Sequence, residues 1–146
     1  MKANPYLSFD GRCAEAFRFY AELLGGTIEM MMTYGESPDA GAMPPGWAPD
    51  WVLHTTLVAG DVVLMGSDAP REHYSKPAGT HVALHVDRPE EAERIFRALA
   101  EGGTVTMPLG ETFWARRFGM LIDRFGTPWM INGGHPEGTG QGGVGA

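Results

Sequence analysis

"AEAFRFYAELLGGTIEM" (Ala14–Met30) and "EEAERIFRALAEGGTVTM" (Glu90–Met107) are two versions of one pattern, and reading them together decides the fold. Each begins with apolar residues at helical spacing, halts at Gly-Gly-Thr, and continues as a strand. In the first copy Cys13, Ala16, Phe17, Tyr20, Leu23 and Leu24 follow the i, i+3, i+4, i+7 rule, with Arg12, Glu15, Arg18 and Glu22 on the other face. Gly25 is placed to end that helix. In the second, Ala92, Ile95, Phe96 and Leu99 form the stripe, and Glu90–Arg94 and Glu93–Arg97 are spaced as i,i+4 pairs. Asp87 is positioned to cap this helix, and Pro89 falls in its first turn, where a missing N–H does no harm.

A short alternating stretch precedes each helix: "NPYLSFD" (Asn4–Asp10) and "HVALHVD" (His81–Asp87). With the two aspartates superposed, Leu7 and Phe9 match Leu84 and Val86, while Asn4, Tyr6 and Ser8 match His81, Ala83 and His85. One face is apolar in both and the other carries polar groups, as on a strand packed against a helix on one side only. More strand-like runs follow each helix: "TIEMMMTYG", "WVLHTTLVAG" and "DVVLMGSD" in the first half, "TVTMPLG", "FWARRFGMLID" and "TPWMIN" in the second. The reading is an α+β fold of two β-α-β-β-β modules, about residues 3–68 and 79–132, within a single domain spanning 1–132. Residues 133–146, with seven glycines and no hydrophobic pattern, read as a flexible tail. Its "GTGQGG" fits a dinucleotide-loop spacing only formally, because such a site needs a strand before it and a helix after it and the sequence ends three residues later.

The strand reading also settles His81 and His85. On a helix, this i,i+4 spacing would let two imidazoles close on one zinc. On a strand, at about 3.3 Å per residue, they share a face but stand roughly 13 Å apart. They can line one groove but cannot easily share one metal.

The chain has 146 residues, 43% of them apolar, enough for one domain with a sizeable core. Eighteen acids against eleven bases give a net charge of −7, which disfavours nucleic acid or an anionic membrane as partner. No apolar run is long enough to cross a bilayer, "MKANPYLSF" has no signal-peptide core, and the single cysteine, Cys13, has no partner for an internal disulfide. A cytoplasmic protein is therefore expected. Cys13, on the apolar stripe, is expected to be inert.

Several polar side chains on or near the strands are candidates for ligand contact: Tyr6 and Ser8 on the first strand, His54 on the third, and His81 and His85 beyond the midpoint. Trp114 and Arg116 read as alternating on one strand, an indole and a guanidinium able to stack on and pair with an anion, with Arg117 pointing to the opposite face. His81 and His54 are the candidate bases. His73 and His135 read as solvated, and Trp129 and Met30, Met31 and Met32 as packing. The loop Gly35–Asp50, rich in Pro and Gly, reads equally as a lid or as surface wrapping, with Trp47 and Trp51 near its end.

The paired modules, with "NPYLSFDG", "AEAFRFY", "LHTTLVAGDVVLMGSD" and above all "FWARRFGMLIDRFGTPWMIN", resemble the vicinal oxygen chelate superfamily of glyoxalases, bleomycin-resistance proteins and dioxygenases, in particular its PhnB-like branch. The resemblance covers about residues 3–132 and implies modules whose sheets curve around a cleft, usually in a homodimer. In metal-using members four ligands come from the first and fourth strands of each module. Carried onto this chain, those places fall at Asn4, Leu64, His81 and Met130, of which only His81 is a good transition-metal ligand. The expectation is therefore a protein that binds a small molecule in the cleft between its modules, without the usual metal quartet and with no cofactor. The alternative is a lyase, isomerase or dioxygenase using a divalent metal, on a shifted site built from His54, His81 and a carboxylate such as Glu29 or Glu111.

Overall fold

The computed structural model describes residues 1–38, 41, 47–70 and 72–136. Its element order repeats as the sequence implies. In the first unit come β1 (Tyr6–Phe9), α1 (Cys13–Leu24), β2 (Thr27–Thr33), β3 (Val52–Ala59) and β4 (Val62–Asp68). In the second come β5 (Val82–Val86), α2 (Pro89–Ala100), β6 (Thr104–Gly110), β7 (Arg117–Ile122) and β8 (Pro128–Gly133). The chain divides into two compact units between Pro77 and Ala78. Among the described residues no helix is long and apolar enough to cross a membrane.

Each unit holds a four-stranded mixed sheet, ordered β1-β4-β3-β2 in the first and β5-β8-β7-β6 in the second. The first strand of each unit lies parallel to the fourth and the remaining pairs are antiparallel. A parallel pair needs a long crossover, and the helix with its following strands supplies it.

One face of each sheet packs on its own helix. In the first unit Cys13, Ala16, Phe17, Tyr20 and Leu23 of α1 are buried, together with Phe9, Leu57 and Leu64 of the strands. In the second Ala92, Ile95, Phe96 and Leu99 of α2 join Leu84, Leu121, Trp129 and Ile131. Each of the large aliphatic and aromatic side chains among them contributes about 1.5–3 kcal/mol by leaving water. Contact is close enough that a Cβ built on Gly66 of β4 would lie 2.6 Å from Phe17, so only glycine fits there. α1 ends at Gly25, whose φ of 65° is the left-handed conformation that favours glycine.

Four local details differ from the sequence reading. Asp87 does not cap α2: the N-cap residue is Arg88, with no side-chain cap hydrogen bond, because β5 runs to Val86 and leaves Asp87 one position early. Glu93 reaches off its helix, accepting a hydrogen bond from Arg117 Nε of β7 at 2.8 Å. Met30 is 42% exposed, and Met31 and Met32 are half-buried, so these methionines are not core; β2 is the outer strand of its sheet and is covered on fewer sides. Trp114 and Arg116 do not lie on a strand. Thr112 N donates to Ala115 O at 3.0 Å and Ala115 N to Thr112 Oγ1 at 3.1 Å, closing a turn that delays β7 until Arg117.

The proposed lid, residues 35–50, and the tail fall partly outside the described residues: 39–40 and 42–46 of the loop and 137–146 of the tail. Gly133 itself closes β8.

Candidate functional site

The site starts from the register of the first sheet. Tyr6 stands beside Met65 and Ser8 beside Ser67 across the β1–β4 pair, and Thr56 faces Met65 across β3–β4. Strand side chains alternate, and Gly66 faces α1, so these residues share the face turned away from the helix. His54, two residues before Thr56, joins them. Tyr6 and His54 are 48 residues apart in sequence, yet the Tyr6 hydroxyl lies 3.1 Å from His54 Nδ1 and the rings stack with centroids 5.6 Å apart and planes 26° apart. On its other side His54 Nε2 lies 3.2 Å from Thr56 Oγ1.

Both imidazole nitrogens are therefore engaged. A neutral imidazole has one N–H and one lone pair, so the chain runs in one of two senses. Either Tyr6 donates to Nδ1 while Nε2–H donates to Thr56, or Thr56 donates to Nε2 while Nδ1–H donates to the Tyr6 oxygen. In the second sense the phenolic proton is directed outward.

Around this chain the first unit places further aromatic groups. Tyr34, in a short 3-10 turn, donates to the Asp68 carbonyl at 3.2 Å, and Trp47 meets its ring edge-on with centroids 4.3 Å apart. Burial pushes the Tyr34 phenol above its ordinary value, and the nearby Tyr6 and Asp68 push it further. His73 lies beside Trp47, at 6.5 Å between centroids. Asp68 is 2% exposed and accepts three backbone hydrogen bonds, from Gly11 and Cys13 on Oδ1 and from Val52 on Oδ2. One carboxylate thus ties together the end of β4, the entry to α1 and the start of β3, the strand that carries His54. Cys13 is fully buried, and burial, with Asp68 adding to it, holds its thiol proton firmly.

The second unit has the same scaffold and a different surface. Ala83 and Met120 flank Met130 as Tyr6 and Thr56 flank Met65, so Ala83, Phe118 and Met120 stand where the first unit has Tyr6, His54 and Thr56. His85 is exposed on β5, and His81 is half-buried one residue before that strand. Trp114 is 47% exposed and packs edge-on against Phe118 and Phe113, at 5.2 and 4.7 Å. Arg116 is exposed just before β7, and Arg117 turns to the helix side, as expected. The structure thus brings Tyr6, Ser8 and His54 onto one face, and it places His81, His85, Trp114 and Arg116 in the other unit.

Residues 2–131 match the family model of the Glyoxalase/Bleomycin resistance protein/Dioxygenase superfamily. The chain belongs to this superfamily. It is 37% identical over 140 residues to protein YjdN of Escherichia coli, covering 90% of this chain and 95% of that one. Its structure is similar to that of protein PA1353 from Pseudomonas aeruginosa, with TM-score 0.84, 47% identity and 93% and 99% of the two chains covered. It is also similar to the PhnB protein from Bacillus cereus, with TM-score 0.76, 26% identity and 91% and 99% covered, in keeping with the PhnB-like resemblance.

As a superfamily member the chain can be tested for the usual metal. Leu64 is the wrong position: it is 1% exposed and points to the helix side of β4. Because Tyr6 pairs with Met65 and its counterpart Ala83 with Met130, the residue that corresponds to Met130 is Met65. A one-residue slip on a strand exchanges faces, which is why the sequence alignment of the fourth strands misplaced it. The places that the resemblance implies are therefore Asn4, Met65, His81 and Met130: one amide, two thioethers and one imidazole. Thioethers suit soft ions, while catalytic zinc, manganese or iron sites take several imidazoles and carboxylates. These residues do not fit the group. Within either unit, among the described residues, no three His, Cys, Asp or Glu side chains are grouped to hold a metal.

Thr56, Ser67 and Asp68 were missed as parts of the site. The alternation in "VLHTTLVAG" put Thr56 on the His54 face and was the one available signal.

Proposed function

We propose that this superfamily member binds a small organic molecule on the face carrying Tyr6, Ser8, His54 and Thr56, without the superfamily's metal quartet or any other cofactor. The hydrogen-bonded chain Tyr6–His54–Thr56 is the observation that supports this reading. A solvated sheet face ordinarily carries independent polar side chains. Here a phenol, an imidazole and a hydroxyl hold one another in fixed orientation beside the thioether of Met65, which is the mixture of placed polar groups and apolar lining that small-molecule sites use. Tyr6 is still 47% exposed, so its hydroxyl can be approached. His81, His85, Trp114 and Arg116 are proposed as a second set of ligand contacts belonging to the second unit. The functional state proposed is a cytoplasmic homodimer, as the superfamily resemblance implies.

The test is a thermal-shift screen of untagged protein over methylglyoxal–glutathione adduct, catechols, phosphonates and glycopeptide antibiotics, with and without divalent metals. Stabilisation by an organic compound in the presence of chelator, with well under one equivalent of metal in the purified protein, is the expected result. Stabilisation that requires a metal, with a stoichiometric ion lost on His81→Ala, would overturn the metal-free reading and favour the metal-dependent lyase, isomerase or dioxygenase instead.

A further inference from the structure

Resting on that reading, we infer that the first unit's ligand is an uncharged molecule bearing a carbonyl or hydroxyl oxygen next to apolar surface, and that Tyr6 and His54 recognise that oxygen.

The face is distinguished by what it lacks as well as by what it holds. The residues that alternate onto it from β1, β4 and β3 are Tyr6, Ser8, Met65, Ser67, His54 and Thr56, flanked by valines, and Met30 and Met32 pair with Thr56 and His54 from β2. None is Asp, Glu, Lys or Arg. An anion placed here would surrender its hydration without gaining a counter-charge, a loss that hydroxyl contacts only partly offset. The protein's net charge of −7 adds a long-range penalty of the same sign. A cationic amine fares no better at close range, because none of these residues is a carboxylate, and Glu29 stands exposed and unpaired in the bulge of the outer strand β2. The second unit makes the contrast plain, since Arg116 stands just before its β7.

What remains is suited to a neutral oxygen. When the chain runs from Thr56 through His54 to Tyr6, the phenol donates outward to a ligand carbonyl. When it runs the other way, the Tyr6 oxygen accepts from a ligand hydroxyl. Exchange between the two takes the imidazole to its other tautomer through solvent and turns both hydroxyl protons, while the heavy atoms stay 3.1 and 3.2 Å apart. The thioethers of Met30, Met32 and Met65 supply a polarisable, adaptable apolar border for the rest of the molecule.

The experiment uses the untagged chain in chelator and compares charge-differing pairs of similar size by calorimetry: benzaldehyde and benzyl alcohol against benzoate, and salicyl alcohol against salicylate. The neutral members should bind, with the anions at least about tenfold weaker, and Tyr6→Phe should weaken the neutral ligands up to about tenfold, the worth of one hydrogen bond. Ser67→Lys, which sets an ammonium on the face, should reverse the order in favour of benzoate. Unchanged circular dichroism melts show that each variant is folded. Anions binding wild type as tightly as their neutral partners would overturn the charge assignment while leaving small-molecule binding in place. Neutral binding indifferent to Tyr6→Phe would overturn the role of Tyr6. Binding of neither class would overturn both this inference and the proposed function.

Discussion

The two units share one architecture and differ on one surface. On the helix side they are interchangeable in kind, with Phe9, Phe17, Tyr20 and Leu64 in the first answered by Leu84, Phe96, Leu99 and Trp129 in the second, all buried. On the other side, the positions that hold Tyr6, His54 and Thr56 in the first unit hold Ala83, Phe118 and Met120 in the second. Packing dictates the first set, because a sheet that presented polar groups to its helix would lose burial and leave those groups unpaired. Nothing in the fold dictates the second set. A hydrogen-bonded chain present in one unit and replaced by apolar groups in the other is the difference on which the proposed ligand site rests.

The contrast between faces is the most breakable part of this comparison. Leu64→Glu forces a carboxylate against α1 and should destabilise by about 4 kcal/mol or more, whereas Met65→Glu, one residue along on the other face, should cost no more than about 1 kcal/mol. The same opposition should appear between Trp129→Glu and Met130→Glu. Urea titrations of the four variants decide the matter, and equal costs for Leu64 and Met65 would mean that the register is wrong.

A smaller effect sharpens the asymmetry between units. Asp68 holds three backbone N–H groups, while its counterpart on β8 is Gly133. Asp68→Ala strands those donors and should cost about 3 kcal/mol. It should also loosen β3 at Val52, which amide hydrogen exchange would register as faster exchange there than in the second unit's strands.

The smallest effect is a titration. Tyr34 keeps its proton in the folded state at pH values where the unfolded chain has begun to lose it, because burial, with Tyr6 and Asp68 nearby, raises its pKa above 10.0. Its contribution to stability is thus complete below pH 10 and is lost as pH rises from there through the folded-state value. Ultraviolet difference titration should show late-ionising tyrosine absorbance, and Tyr34→Phe should reduce it by one tyrosine, with Tyr74, whose phenol pKa burial and Asp10 also raise, still ionising late. A single ordinary transition for all four tyrosines would contradict the placement of Tyr34.

Most of the fold was legible in the sequence because periodicity is a local signal. The stripes of both helices and the order of the strands could be read from neighbours a few residues apart. The helix-face residues of both units lie where that periodicity put them, except Leu24, which is half-buried at the end of α1. What escaped depends on register and turns. Leu64 and Met65 are adjacent letters on opposite faces, and only hydrogen bonding to β1 tells which of them corresponds to Met130. The Tyr6–His54 pair was legible as two separate candidates, since contact between residues 48 apart is a tertiary fact. Trp114 and Arg116 were read onto a strand because the turn made by Thr112 and Ala115 has no Gly or Pro to announce it.

The central claim, that the first unit's face is a ligand site needing no metal, is tested most directly by following backbone and side-chain NMR signals of untagged protein in chelator as catechol or benzaldehyde is added. Saturable shifts should concentrate at Tyr6, His54 and Thr56 and spare Ala83, Phe118 and Met120. Shifts confined to the second unit, or appearing only after a divalent metal is supplied, would contradict it.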